Sequence, residues 1–399
     1  MKKDFQIKQA VILAGGLGSR LKKITKENPK ALVKVFNKSF IEYLFFNLSR
    51  HGFNKLLILC SYKSILFFKK YHKKKYYNLE ILCINENSPM GTGGALINAK
   101  KFLDRFFLLC NGDTYFDINL NDLISNFDKK KMLLLLAVTT PNYKNRFTKL
   151  NINKKNGLVR KVNLKTFPQI SYVNAGYYIC SKKILSFIKK ECSLEKNIFP
   201  LLINHNKLYA RIYENSFKKF LDIGVPKDFY KAKNFINRNL FKPAIFLDRD
   251  GVINKDLGYV IKKKDIIWKK DIFKFVKYYN DKGYYVFVAT NQSGIGRGFY
   301  SEKKLLELHD WMNNKFRSKG AHIDKFYYAP YFKDSINLKY RKGSKLRKPN
   351  KGMIDLALKE WNINLKKSKF FGDREVDRIV AKNSNLNFEL VKFYRNFKY

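Results

Sequence analysis

The chain has 399 residues, which suits two domains of ordinary size, and hydrophobic residues make up 45% of it. Its five cysteines form no CxxC pair, which indicates reduced thiols in a cytoplasmic protein. The apolar runs are too short to span a membrane, and the run at residues 10–14 ends in two glycines, unlike a secretory signal. We therefore expect no membrane insertion.

The formal net charge is +49, and a charge of this size can indicate a nucleic-acid or anionic-membrane partner. The lysines are spread along the whole chain, however, and the chain is rich in Lys, Asn, Ile, Phe and Tyr together. Both features are typical of an AT-rich genome. We therefore expect no specific nucleic-acid partner, and the charge predicts nothing about the oligomeric state.

Short apolar strands alternate with helical patterns in both halves. The predicted strands are residues 9–14, 56–61, 106–110, 133–139, 244–247, 285–290 and 369–371. This alternation predicts an α/β fold with a mostly parallel sheet in each half. A helix with a basic linker over residues 226–243 separates the halves, so we place the domains at residues 1–240 and 241–399. Active sites are expected at the carboxyl ends of the strands.

The loop after the first strand, GGLGSRL at residues 15–21, is rich in glycine. Glycines let backbone N–H groups approach a triphosphate, and Arg20 and Lys30 supply cations for its oxygens. A second glycine-rich turn, MGTGGAL at residues 90–96, can pack a flat base against its backbone. The glycines predicted to bind the nucleotide are Gly15, Gly16, Gly18, Gly91 and Gly93.

Two acids follow short strands in this half, Asp113 in NGD and Asp222 in LDIG. Carboxylates at strand ends can hold Mg²⁺ against phosphates, because this ion prefers oxygen ligands. Each acid alone could equally be a helix cap or a turn former. Together they predict a Mg²⁺ site beside the triphosphate.

Over residues 10–231 these motifs resemble the sugar-phosphate nucleotidyltransferase family. SPMGTGGAL, NGDTYFDINL and LDIGVPKDF are most similar to the branch that makes nucleotide-activated D-glycero-D-manno-heptose. The resemblance implies that Asp113 and Asp222 ligate Mg²⁺, that Arg20 and Lys30 handle the triphosphate, and that GTP is the donor.

The same resemblance implies a sugar-phosphate pocket. Its expected residues are Asn174, Gly176, Glu195 and Lys196. Leu164-Lys165 stands where the family often has Glu-Lys. A phosphate contact from Lys165 is therefore expected, and the usual sugar-hydroxyl contact from Glu is left open.

The second polar loop, DRDGVIN at residues 248–254, carries two acids two positions apart. We predict that Asp248 is the nucleophile of an aspartyl-phosphate intermediate. Asp250 would protonate the leaving alcohol and then activate water. Two anions repel a phosphate unless a cation lies between them, and Asp373 fits as the distant Mg²⁺ ligand with Asp377 supporting it. The predicted ligands are Asp248, Asp250 and Asp373.

Two further motifs complete this site. TNQS at residues 290–293 ends another strand, and Thr290 and Asn291 offer a hydroxyl and an amide to the phosphoryl group. RKP at residues 347–349 supplies Arg347 and Lys348, and Lys348 neutralises the transition state. Four such elements in this order predict a phosphatase.

Residues 243–393 resemble the haloacid dehalogenase superfamily, most closely the D-glycero-D-manno-heptose 1,7-bisphosphate phosphatases, with histidinol-phosphate phosphatases as the alternative. The stretches that carry the resemblance are DRDGVINKDLGYV, ATNQSGIGRGFYS and RKPNKGM. The resemblance implies that Arg297 recognises the substrate. Many relatives carry a zinc loop before RKP, but residues 329–347 contain neither Cys nor His, so we expect Mg²⁺ and no zinc.

Together the resemblances imply two Rossmann-like domains, an N-terminal GT-A-like nucleotidyltransferase sheet and a C-terminal haloacid-dehalogenase-like sheet. They imply that the chain removes the 7-phosphate of heptose 1,7-bisphosphate and joins a nucleotide to heptose 1-phosphate, for surface polysaccharide synthesis. One alternative replaces heptose by mannose 1-phosphate or another hexose phosphate. Another is a nucleic-acid-binding protein built on enzyme folds that have lost their activity.

Overall fold

A computed structural model describes residues 5–16, 28–86, 88–140, 148–162, 172–214 and 219–391 of the chain. The chain divides into two compact units. The first is Ile7–Ile236, and the second begins at Asn237 and includes the segment before Ile7. The division falls within the helix Ala232–Leu240, whose last residue is the boundary predicted from the sequence. That boundary between two functional domains stays a prediction.

The first unit contains a ten-stranded sheet, with order β11-β10-β12-β7-β1-β4-β6-β5 and with β9 joining β12 to β13. Its strands are β1 (Gln9–Leu13), β4 (Lys55–Cys60), β5 (Lys75–Tyr76), β6 (Leu79–Asn85), β7 (Phe106–Asn111), β9 (Leu134–Thr139), β10 (Lys149–Ile152), β11 (Val159–Val162), β12 (Tyr172–Ser181) and β13 (Leu208–Tyr213). Two small sheets pair β2 (Lys34–Val35) with β3 (Lys38–Ser39) and β8 (Thr114–Phe116) with β14 (Phe220–Asp222).

The described residues before Phe241 contain seven α-helices. They are α1 (Phe40–Arg50), α2 (Ser64–Tyr71), α3 (Gly91–Asn98), α4 (Leu120–Ser125), α5 (Phe199–Asn204), α6 (Pro226–Tyr230) and α7 (Ala232–Leu240). The segment predicted as one helix with a linker therefore contains two helices. Leu96 of α3 and Phe199 of α5 are fully buried in one cluster with sheet residues such as Leu109. Burying each such side chain stabilises the fold by roughly 1.5–3 kcal/mol.

The large sheet of the first unit is mixed. Strand β1 is parallel to β4 and β7, but β12 is antiparallel to β7, β9 and β10. The prediction of a mostly parallel sheet is wrong for this unit. A strand buried on both faces is a continuous apolar run, and such a run does not reveal its direction.

The second unit has a five-stranded sheet in the order β17-β16-β15-β18-β19, in which every pairing is parallel, as predicted. Its strands are β15 (Ala244–Leu247), β16 (Tyr285–Asn291), β17 (Lys325–Ala329), β18 (Lys369–Gly372) and β19 (Asn387–Leu390). Its helices are α8 (Ile272–Lys282), α9 (Glu302–Ser318), α10 (Gly352–Glu360) and α11 (Glu375–Asn383). Helices α8 and α9 bury apolar residues in one cluster with the sheet, and α10 and α11 do so in another.

Two findings bear on the predictions about the cysteines and about membrane insertion. All five cysteines are free. Among the described helices, none combines the length and the apolar composition that crossing a membrane requires.

Candidate active sites

A cavity of about 420 Å³ in the first unit lies where β1 and β7 end. Gly15 and Gly16 line it from the loop after β1, and Asp113 lines it from the loop after β7. Gly91, the first residue of α3, completes the wall. The structure thus brings together the two glycine-rich segments and the acid that the sequence predicted. Three predicted site residues lie outside the described residues: Gly18, Arg20 and Lys165.

Lys30 and Asp113 form an ion pair in this cavity. The second predicted acid, Asp222, is brought close by the β8–β14 ladder, which places it opposite Thr114, the residue after Asp113. The backbone N–H of Ile223 also donates to the carbonyl of Asp113 at 3.0 Å. Two acids at neighbouring backbone positions beside this cavity offer the oxygen ligands that Mg²⁺ prefers.

Glu86, which the sequence motifs did not indicate, also lines the cavity. It follows β6, and its backbone N–H donates to the carbonyl of Cys60 at 2.9 Å. Only 8% of the residue is exposed. Burial raises the pKa of its carboxyl group, although the backbone N–H of Met90 opposes the shift. A carboxylate withdrawn from water in this way is suited to accept hydrogen bonds from a bound ligand.

The predicted sugar contacts Asn174 and Gly176 lie on β12, where its pairing with β9 shifts register. Gly176 has φ +72°, and a Cβ there would lie 2.7 Å from Nδ2 of Asn111, a cavity residue. Only glycine fits this close approach. The bulge therefore holds the predicted sugar-binding strand against the nucleotide cavity.

Glu195, predicted to line the sugar-phosphate pocket, binds Asn174, another predicted residue of that pocket. Its Oε1 accepts from Nδ2 of Asn174, and its Oε2 accepts from Oγ1 of Thr148, both at 2.6 Å. Because both carboxylate oxygens are engaged, Glu195 orients Asn174 in this structure. Lys196 is exposed.

The segment before Glu195 holds the second glycine-rich turn. Gly93 donates its backbone N–H to the carbonyl of Cys192 at 2.9 Å, and the backbone N–H of Leu194 donates to Oγ1 of Thr92 at 2.9 Å. Gly93 thus supports the turn from behind, while Gly91 and Thr92 line the cavity.

A second cavity, of about 510 Å³, lies in the second unit where β15, β16 and β18 end. The predicted site residues that line it are Asp248, Asp250, Thr290, Asn291, Arg297, Arg347 and Lys348. The structure therefore gathers four sequence motifs, far apart in the chain, around one cavity.

Asp373 belongs to an acid cluster with Asp248 and Asp377, in which one oxygen from each lies within 4.8 Å of the others. Oδ1 of Asp373 is buried and has no hydrogen-bond partner in the described parts of the chain. Burial, together with the charges of Asp248 and Asp377, raises the pKa of Asp373. A cation bound here would remove this repulsion and occupy the orphaned oxygen, so the residues fit a Mg²⁺ ion.

Lys348 supplies one positive charge to this cluster. Its Nζ lies 2.7 Å from Oδ2 of Asp248 and 2.7 Å from Oδ1 of Asp377. Burial opposes the charge of this lysine, but the two carboxylates outweigh that effect and raise the pKa of Lys348. The backbone N–H of Arg249 donates to Oδ1 of Asp248 at 2.7 Å. The predicted nucleophile is therefore fixed at both oxygens.

The carboxylate of Asp250 lies outside the acid cluster, and its predicted part in holding the metal stays a prediction. The buried guanidinium of Arg249 grips it as a fork, with N–O distances of 2.8–3.1 Å. Nδ2 of Asn254 at 2.9 Å and Nε2 of Gln292 at 3.1 Å donate to it as well. Arg249 and Gln292 stand inside the predicted motifs, but the motifs alone gave no reason to single them out.

Asn291 contacts the backbone of Lys348. Its Oδ1 accepts from the backbone N–H of Lys348 at 3.0 Å, and its Nδ2 donates to the Lys348 carbonyl at 3.1 Å. The amide thus fixes the backbone of the cationic residue. Nδ2 carries a second N–H, so the predicted contact with the phosphoryl group stays a prediction. Thr290, the predicted hydroxyl donor, accepts from Nε2 of Gln292 at 3.0 Å.

The geometry defines two enzyme sites, one that can cradle a nucleotide and one that can transfer a phosphoryl group to an aspartate. The family model described as "Nucleotidyl transferase" matches residues 9–239, and the one described as "Polynucleotide kinase 3 phosphatase" matches residues 246–394. The chain belongs to the nucleotidyl transferase family through its first unit and to the family of the heptose-bisphosphate phosphatases through its second.

Three similar proteins carry this assignment. The D-glycero-alpha-D-manno-heptose 1-phosphate guanylyltransferase of Campylobacter jejuni is 35% identical over 56% of this chain and 97% of its own length. The D-glycero-alpha-D-manno-heptose-1,7-bisphosphate 7-phosphatase of the same organism is 36% identical over 39% of this chain and 90% of its own length. The crystal structure of HddC from Yersinia pseudotuberculosis matches with a TM-score of 0.51 and 31% identity, over 58% of this chain and all of that one. The chain is therefore an enzyme with a nucleotidyltransferase unit and a phosphatase unit.

Gly251 offers a test of the acid cluster. It has φ +87°, and a Cβ there would lie 1.9 Å from Oδ2 of Asp373. We expect Gly251→Ala to displace Asp373 and to raise the Mg²⁺ concentration for half-maximal phosphatase activity by roughly tenfold or more. Gly298→Ala is the matched control, because Gly298 has φ +78° and nothing within 4 Å of a Cβ. An equal change of the Mg²⁺ requirement in both variants would contradict the placement of the metal.

Proposed function

We propose that the chain removes the 7-phosphate of D-glycero-α-D-manno-heptose 1,7-bisphosphate and then transfers a guanylyl group from GTP to the heptose 1-phosphate. One observation carries the proposal. The two units resemble two Campylobacter jejuni enzymes, and removing the 7-phosphate from the substrate named by one gives the substrate named by the other. The proposed setting is the cytoplasm, and the proposed product serves surface polysaccharide synthesis.

The phosphatase step follows from the positions of the two acids. The carboxylate of Asp248 attacks the 7-phosphorus and forms an aspartyl-phosphate, while Asp250 gives a proton to the leaving heptose oxygen. Asp250 then takes a proton from the water that hydrolyses the intermediate. The buried ammonium of Lys348 offsets the negative charge of the phosphoryl group throughout. Mg²⁺ held by the acid cluster, with Asp248 and Asp373 as ligands, would supply further charge neutralisation.

The nucleotidyl step needs no protein nucleophile. An oxygen of the heptose 1-phosphate attacks the α-phosphorus of GTP in line, and pyrophosphate leaves. The loop at Gly15 and Gly16 offers backbone N–H groups to the triphosphate, and Lys30 offers its charge. Mg²⁺ held by Asp113 and Asp222 would neutralise the phosphates. Catalysis in this unit is therefore positioning and charge neutralisation.

Glu86 supports guanine as the base. Guanine presents two adjacent donors, N1–H and the 2-amino group, which a carboxylate can accept with its two oxygens. Adenine presents an acceptor at N1 and would leave the buried carboxylate of Glu86 partly unpaired. A site built around such a pair can reject the wrong ligand by a large factor.

Glu86→Gln tests the choice of base. We expect the variant to lower kcat/KM for GTP by roughly tenfold or more, because an amide accepts only one of the two guanine donors. The wild type should prefer GTP over ITP, which lacks the 2-amino group, and the variant should lose much of this preference. Pyrophosphate release with each nucleotide and heptose 1-phosphate measures both effects. Glu80→Gln, on the exposed side of β6, is the control and should behave like the wild type. Unchanged discrimination in Glu86→Gln would remove Glu86 from base recognition.

The two activities should fail independently, because their carboxylates lie on separate sheets. Asp113→Ala should still convert the bisphosphate to heptose 1-phosphate and then stop. Asp248→Asn should leave the bisphosphate untouched, because an amide cannot accept the phosphoryl group productively, yet it should join GTP to supplied heptose 1-phosphate. Mass spectrometry of the products separates these outcomes.

Mixing the two variants gives the sharper result. The mixture should restore nucleotide-heptose synthesis from the bisphosphate, since the intermediate diffuses between molecules. If both single steps run and the mixture makes no nucleotide sugar, the units do not share an intermediate.

The same assay with the α and β anomers of the bisphosphate tests which anomer is the substrate, and turnover of the β anomer alone would contradict the proposed substrate.

A further inference from the structure

Residues 331–346, here called the support loop, connect β17 to Arg347 along the wall of the second cavity. Apart from one short turn, Leu338–Tyr340, the loop has no regular secondary structure. It nevertheless contacts two of the arginines that line the cavity, Arg297 and Arg347. The ring centroid of Phe332 lies 3.6 Å from Cζ of Arg297, and the carbonyl of Tyr331 accepts from Nη1 of Arg347 at 3.3 Å. The loop is therefore placed to orient two cations.

These two guanidinium groups are close enough to affect each other. Burial, and then the positive charge of Arg297, lower the pKa of Arg347. Nε of Arg297 is buried and lacks a hydrogen-bond partner among the described residues. Two neighbouring cations with an unused donor form an arrangement that a doubly charged anion would stabilise.

The support loop is fixed by hydrogen bonds to α9 and to the segment that carries Arg297. The hydroxyl groups of Tyr328 and Tyr340 each donate to one oxygen of Glu302, the first residue of α9, at 2.9 Å. Tyr340 is buried in the same cluster as Ile295, a neighbour of Arg297. The hydroxyl of Ser335 also donates to the carbonyl of Gly296. The loop and the segment that carries Arg297 are therefore packed as one body.

We infer that Phe332 is a positioning residue that selects substrates with a second phosphate. It stacks on Arg297 and holds this guanidinium, beside Arg347, for the phosphate that is not cleaved. A stacked guanidinium keeps its in-plane donors free for a phosphate while its face is covered. The inference rests on the proposed function, because it assigns the bisphosphate's second group to this part of the phosphatase cavity.

The test is Phe332→Ala in the full chain, assayed with heptose 1,7-bisphosphate and with heptose 7-phosphate, which lacks the second phosphate. We expect KM for the bisphosphate to rise roughly tenfold with kcat within about twofold, because binding of the uncleaved group does not change during the reaction. Kinetics with heptose 7-phosphate should stay unchanged. Phe332→Tyr should retain most of the affinity, since its ring also stacks.

A double-mutant cycle separates positioning from general damage. Arg297→Ala should raise the same KM, and Arg297→Ala with Phe332→Ala should be no worse than Arg297→Ala alone. Leu338→Ala is the matched control, because Leu338 lies in the support loop and is 75% exposed. Equal losses with both substrates, fully additive effects or an unchanged bisphosphate KM would each overturn the inference.

The proposed function fails separately from the inference. If wild-type enzyme does not turn over heptose phosphates, the proposed function is wrong. The inference is then tested with fructose 1,6-bisphosphate against fructose 6-phosphate. The inference is supported if Phe332→Ala loses the wild-type preference for the bisphosphate while the control variant Leu338→Ala keeps it. It is overturned if Phe332→Ala keeps the wild-type preference.

Discussion

The phosphatase site depends on one buried cation. Lys348 lies 2.7 Å from both Asp248 and Asp377, and its charge offsets the repulsion among the three carboxylates of the acid cluster. The compact ammonium suits this position, because a planar guanidinium would need more room and a different set of acceptors. Asn291 holds the backbone of Lys348 from the end of β16, so the strand end, the cation and the nucleophile are mechanically linked.

In the first unit a lysine also neutralises an acid at the site, but fewer contacts are involved. Lys30 pairs with Asp113 in the first cavity, and the β8–β14 ladder brings Asp222 alongside. No group of this unit has to attack the substrate in the proposed reaction, so its carboxylates need only hold the metal ion. In the second unit the nucleophile must also be aimed, and the backbone N–H of Arg249 fixes the remaining oxygen of Asp248. The chemistry of each site thus sets how tightly its acids are held.

Local sequence predicted the loops of both sites because each motif joins a strand end to a specific set of backbone and side-chain groups. It could not predict Glu86, whose burial depends on where β6 ends beside β4, or the hydrogen bonds of Glu195, whose partners come from other parts of the unit. Asn291 has a side-chain amide that can donate a hydrogen bond to a phosphoryl group. The sequence could not show that this amide also binds the backbone of Lys348, 57 residues away. The mixed first sheet was missed for a related reason, since strand direction is set by pairing and not by the apolar run itself.

The net charge of +49 acts on a different scale from the sites. Surface charges are screened over about 8 Å at physiological ionic strength, so the general excess speeds the approach of any anion but cannot distinguish one from another. Every substrate in the proposed sequence is an anion, and all would be attracted. Discrimination must therefore come from charges shielded from water inside the cavities. In the proposed function, Lys348, Arg297 and Arg347 would face phosphates there and Glu86 would face the base. An enzyme working on phosphorylated sugars and nucleotides thus has a use for this charge that requires no nucleic-acid partner.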